Sequence, residues 1–162
     1  MSAEKKKQMG VLGLTVALVA VILGGLLFVG AASGWFSNTK ITLDPEYYGE
    51  ETAYMELDAG GYEELVKAKK SFVVFVDQDG CTTADKLREY VLNWAKERGV
   101  KVYRMMFSEV KESSMHEKVK YYPSVVVLNK GKILSYLRAD ADEDAAAYND
   151  YDAFKVWVEQ YL

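Results

Sequence analysis

Residues 71–87, SFVVFVDQDGCTTADKL, decide the fold. Phe72 to Val76 is a short apolar run of β-branched and aromatic residues, which predicts a strand buried on both faces. Asp79 and Gly80 lead out of it to Cys81, the one cysteine in the chain. Thr82 or Thr83 supplies a cap for the helix that follows. Leu87, Tyr90, Val91, Trp94 and Ala95 then recur at the spacing of one helical face, and Gly99 ends the pattern. A cysteine at such a turn meets a helix dipole and free backbone N–H groups, both of which favour a thiolate. Asp77, Asp79 and Asp85 act the other way by adding negative charge nearby.

Ala84 stands three residues after Cys81, where a dithiol site would carry its second sulfur. The chain therefore makes no internal disulfide. Any redox cycle is monothiol, or it borrows a thiol from a partner.

Working outward, Lys40–Leu43 alternates weakly as an edge strand, and Ala53 to Leu57 reads as another short one. Asp58 to Gly61 is a turn, and Tyr62 to Lys70 a short helix. After the central helix, Val100 to Phe107 returns as a strand. Ser113 to Tyr121 reads as a short helix with Ser113 or Ser114 as its cap. Pro123 precedes the strand Val125–Leu128, Asn129-Lys-Gly131 forms a hairpin turn, and Ile133 to Leu137 is the partner strand. Asp140 to Asp150 is an acidic loop. Tyr151 to Leu162 closes the chain as an amphipathic helix. A βαβ unit followed by a hairpin and a helix predicts an α/β fold, a mixed sheet flanked by helices.

The N-terminal part has another character. No charged side chain occurs from Gln8 to Thr39, and Val11 to Ala32 gives 22 apolar or small residues. At about 1.5 Å per residue this crosses a ~30 Å hydrocarbon layer. The expected organisation is a cytoplasmic tail over 1–9, a single transmembrane anchor over 10–34, a linker over 35–52 and a folded domain over 53–162. A cleaved signal peptide is the alternative for 10–34, although the run is longer than an ordinary h-region. Lys5, Lys6 and Lys7 precede the span, and only Lys40 follows closely, so the domain is expected outside the plasma membrane.

Residues 33–162 carry 17 basic and 23 acidic side chains, a net charge of −6. That balance argues against nucleic acid and against charge-driven docking on anionic lipid. A lone cysteine excludes a disulfide framework.

From Tyr54 onward the chain resembles the thioredoxin-fold family. The features that carry this are the strand-to-Cys81 turn, the Tyr122-Pro123-Ser124 step before a strand, and the Asn129–Gly131 hairpin. The resemblance implies a cis Pro123 lying against the Cys81 sulfur. It departs at the tetrad, here Cys81-Thr-Thr-Ala84, and at Phe75, where thioredoxins carry a buried carboxylate six residues before the first cysteine.

The expected function is monothiol thiol–disulfide exchange, with Cys81 as the attacking sulfur and Pro123 beside it as the catalytic residues, Pro123 and Ser124 positioning the client strand, and Thr82, Thr83 and Tyr122 around it. The partner is a client protein or peptide thiol. The alternative is a non-catalytic interaction module in a cell-envelope assembly, bacterial by its short basic tail and low cysteine use. No cofactor or metal is expected. Asp140-Ala-Asp142-Glu-Asp144 fails the EF-hand template, with Ala145 at its sixth position and Tyr151 at its twelfth. His116 reads as an ordinary surface histidine.

Overall fold

Five strands build one mixed sheet in the computed structural model, which describes residues 40–49 and 54–162. They are β1 (Tyr54–Glu56), β2 (Phe72–Asp77), β3 (Val102–Met106), β4 (Ser124–Asn129) and β5 (Lys132–Tyr136), in spatial order β1-β3-β2-β4-β5. β3 runs parallel to β1 and β2, whereas β4 runs antiparallel to β2 and β5. The helices are α1 (Ala59–Lys67), α2 (Thr82–Arg98), α3 (Phe107–Lys111), α4 (Ala145–Asn149) and α5 (Tyr151–Glu159).

β2 is central because every one of its six residues is buried. A strand with helices on both faces has no polar side to give to water. Phe72 meets the ring of Tyr62 on α1. On the opposite face, Asp77 meets Arg88 of α2. α2 turns Ala84, Leu87, Val91, Trp94 and Ala95 inward, and Gly99 ends it in the left-handed conformation at φ 61°. α5 packs beside it, with Phe154 against Tyr90.

Local chemistry moved several boundaries from their sequence-based positions. α1 begins at Ala59 rather than Tyr62, because the Asp58 carboxylate accepts from the Gly61 N–H at 2.7 Å and caps the helix early. The helix expected over 113–121 is instead α3 followed by a 3-10 turn, Ser114–Glu117. Ser113 caps nothing. Its hydroxyl donates back to the Val110 carbonyl and closes the preceding helix. The acidic loop expected over 140–150 contains a 3-10 turn, Asp142–Asp144, and then α4. Three successive alanines, 145–147, favour helix there.

Lys40–Leu43 is not a strand. Ile41 and Leu43 alternate because both pack into the core, together with Tyr47. The Ile41 N–H donates to the Tyr161 carbonyl, and the Asp44 carboxylate accepts from the Ser71 N–H at 2.6 Å. Residues 40–49, part of the stretch read as a linker, thus pack with the unit that runs to Leu162. The predicted membrane span, 10–34, lies outside the described residues. Among the described residues no helix is long and apolar enough to cross a membrane.

The β4–β5 hairpin carries one irregularity. Val127 pairs with Ser135 but Leu128 pairs with Ile133, so Leu134 bulges without an opposite residue. Among the described residues, Leu134 is one of the few large apolar side chains left exposed.

Candidate functional site

Cys81 lies where the chain leaves β2 and enters α2. Gly80 makes the approach at φ +71°, a conformation that L side chains rarely adopt. Cys81 is the residue before the first turn of α2, in extended conformation, and its carbonyl accepts the first helical bond from the Asp85 N–H at 3.0 Å. Its side chain caps no backbone group and stays half-buried at the helix entrance.

The Tyr122–Pro123 bond is cis, as the family resemblance implied. It borders the same cleft as Cys81. The cleft holds about 300 Å³ and is lined by Cys81, Thr83, Tyr122, Pro123, Ala139, Ala145, Tyr148 and Asn149. Among the described residues, no charged side chain lines it. Tyr122 is fixed by its phenol, which donates to the Val119 carbonyl at 3.1 Å and lies 3.3 Å from His116 Nδ1. Burial pushes the Tyr122 phenol above its ordinary pKa. His116, read as an ordinary surface residue, is half-buried and supports this ring.

Not all of the expected client contacts reach the cleft. Thr83 does. Thr82 is exposed outside its lining. Ser124 is wholly buried, and its hydroxyl donates to the Leu137 carbonyl at 2.8 Å, so the side chain has no route to a client. Alternation along β4 explains this, since a residue that enters a central strand must choose one covered face. Ala84 is also wholly enclosed, so the place of a second sulfur is filled by a methyl group in the core.

The part that Tyr148 plays in the cleft was not legible from composition. Tyr148 on α4 is 7% exposed, and its phenol faces the carbonyls of Pro123 at 2.8 Å and Leu137 at 3.0 Å. One hydroxyl proton is shared between two acceptors. Burial, and then the charges of Asp144 and Asp140, push this phenol well above its ordinary pKa, so it stays a donor. Tyr148→Phe is expected to cost about 1–3 kcal/mol, because the Pro123 carbonyl loses its Tyr148 donor, the Leu137 carbonyl keeps only Ser124, and the ring still fills its place. Thermal unfolding checks this, and an unchanged midpoint would remove Tyr148 as the support of the Pro123 segment.

The carboxylates expected to crowd Cys81 are each taken up by arginine. Asp77 is completely buried between Arg88 and Arg104. Asp85 pairs with Arg88 at 2.8 Å, and Asp79 lies 3.8 Å from Arg104. Burial by itself would raise the Asp77 carboxyl. Hydrogen bonds from Arg88 and Arg104 outweigh it and hold the group below its ordinary value. Hydrogen bonding to Asp77 in turn raises Arg88 far beyond any working pH.

No family model matches the chain, and no curated protein matches it in sequence. Solved structures do match it. A mutant thioredoxin from Halobacterium salinarum superposes with a TM-score of 0.51 at 17% identity, over 70% of this chain and 93% of that one. The oxidised thioredoxin of Plasmodium falciparum gives 0.52 at 14% identity, over 67% and 98%. A chain of the ferredoxin:thioredoxin reductase and thioredoxin f2 complex gives 0.51 at 12% identity, over 68% and 94%. At these identities the shared property is the fold.

Proposed function

We propose that this thioredoxin-fold domain performs thiol–disulfide exchange through one sulfur, that of Cys81. The observation that carries the reading is the placement of the chain's one cysteine at the entrance of α2, on the same uncharged cleft as cis Pro123. The Cys81 thiolate attacks one sulfur of a client disulfide along the S–S axis. A bond forms between Cys81 Sγ and that sulfur, and the client's other sulfur leaves as a thiolate. Release needs a second thiol, from the client or another protein, to attack the mixed disulfide and return Cys81 to its thiolate. Tyr122 and Pro123 seat the client as an extended segment beside the cleft, a mode that uses backbone groups and tolerates varied sequences.

Residues 10–34 hold the domain at the plasma membrane with the cleft on the outer side, as the lysine asymmetry before and after the span implies. Alkaline carbonate extraction is expected to leave the chain in the membrane pellet. Release into the supernatant would refute a retained anchor and favour cleavage.

A second reading has one observation behind it. Ala84, wholly buried, takes the place of a resolving cysteine, as suits a fold reused for binding alone. Incubation of the full chain with a peptide disulfide separates the two. The expected result is a covalent adduct of one peptide half, reversed by reductant and absent from Cys81→Ser. A folded chain that forms no adduct, or a Cys81→Ser variant that retains full biological function, would leave the binding module as the better account.

A further inference from the structure

Two points of the segment between β2 and α2, Gln78 and Asp79, and one point of α2, Arg88, are tied to one buried ion group, and the cysteine lies at the end of that segment. Asp77 is the last residue of β2 and has no exposure. Its Oδ1 accepts from the Gln78 N–H at 2.8 Å, which fixes the first residue of the segment. Arg88, in the second turn of α2, reaches Asp77 with Nη2 at 2.8 Å from both carboxylate oxygens and with Nε at 3.0 Å. That fixes the helix which Cys81 opens. Arg104 on β3 donates from Nε to Asp77 Oδ2 at 2.7 Å and extends Nη2 toward Asp79, in mid-segment. Asp85 and Glu56 complete the outer side of the two guanidinium groups. Such planar, forked contacts set direction as well as distance, which a lysine ammonium does not.

We propose that Asp77, Arg88 and Arg104 are positioning residues that hold Cys81 Sγ in register with the Pro123 cleft. None of the three lines the cleft. They act through the segment 78–81 and the first turns of α2. The inference rests on the reading of Cys81 as the reacting atom, but its primary test does not require exchange to occur. Misplacing a reacting atom by about 1 Å costs roughly 100-fold in rate, so a clamp of this kind acts on alignment.

The test uses the full chain, in which Cys81 is the one site for a methanethiosulfonate nitroxide label. The variants Arg104→Lys, Arg88→Lys and Asp79→Asn keep the charge on Asp77. Asp79 is largely exposed, so its variant folds even where an arginine change does not. The wild-type spectrum is expected to be dominated by slow motion. Each folded variant is expected to gain a fast component. Exchange with a peptide disulfide should fall about tenfold in the arginine variants, while alkylation by iodoacetamide, which needs access but not alignment, stays within about twofold. A label spectrum unchanged in every folded variant would overturn the clamp. If wild-type protein exchanges with no peptide, the function proposed above fails, while the label spectra still decide whether the clamp exists.

Discussion

Asp77→Ala is expected to destabilise the folded chain by about 3–5 kcal/mol, the scale for breaking a buried ion pair from one side. The carboxylate has no exposure, and Arg88 and Arg104 beside it are 29% and 26% exposed. Removing it leaves two guanidinium groups facing each other across a vacated site. Asp85, Glu56 and Asp79 retain part of their pairing, which places the effect nearer the lower end. Urea unfolding measures it, and a loss under about 1 kcal/mol would put the triad among ordinary surface pairs. The same carboxyl sets a pH dependence. Its folded pKa is depressed, so the unfolded chain binds the proton more readily. The stabilisation is fully present above the unfolded carboxylate value of about 4 and is lost as pH falls through the lower folded value. Asp77→Asn removes that titration. The stability gap between wild type and Asp77→Asn is therefore expected to narrow as pH falls below the unfolded carboxylate value of about 4, and a gap that widens would reverse the assignment.

Gly131→Ala is expected to cost about 2–4 kcal/mol, from a left-handed backbone and a steric clash together. Gly131 has φ +73°, and a Cβ built there would lie 2.3 Å from the Val66 carbonyl oxygen and 3.2 Å from Lys69 Cα. Both neighbours are backbone, so no side chain can swing aside. The Gly131 N–H also donates to the Lys70 carbonyl at 2.7 Å, which binds the hairpin tip to the end of α1. Lys130 precedes it at φ 50°, and two successive positive values make this a type I′ turn. Lys130→Gly is the matching control. It relieves one strained position without entering occupied space and is expected to be neutral or slightly stabilising. A Gly131→Ala loss no larger than that of an exposed hairpin glycine would mean that the tip and α1 are not in contact in solution.

The parts of this fold that were legible in the sequence depend on neighbours along the chain. Phe72–Val76, the Cys81 turn, the face of α2 and the Asn129–Gly131 hairpin each declare themselves within a few residues, by periodicity or turn chemistry. The parts that escaped depend on residues far apart. Asp77 reads as one more charge beside a thiol until Arg88 and Arg104 are known to face it, and Arg104 arrives only because β3 lies parallel to β2. The acidic stretch 140–150 hides a helix, and Tyr148 becomes a wall of the cleft only through its bond to the Pro123 carbonyl. Ser124 was read as a client contact from its position beside Pro123, yet its strand turns it inward. Lys40–Leu43 reads from its alternation as a weak edge strand, and the rest of 35–52 by composition as a linker. Ile41, Leu43 and Tyr47 are buried, and the stretch is held by the Ile41 N–H on the Tyr161 carbonyl, by Asp44 on Ser71 and by the Tyr47 ring on Tyr103, none of them close in sequence.

The bulge at Leu134 also bears on how copies of this chain meet. An open sheet offers its outer strands as templates for self-association, and natural sheets blunt them. Here β1 is three residues long, and β5 is interrupted at its middle. Among the described residues, neither rim offers a long run of evenly spaced free amides on which another molecule could stack. On the function proposed above, an extended client then meets the domain at the Tyr122–Pro123 step beside the thiol, rather than by lengthening the sheet at β5.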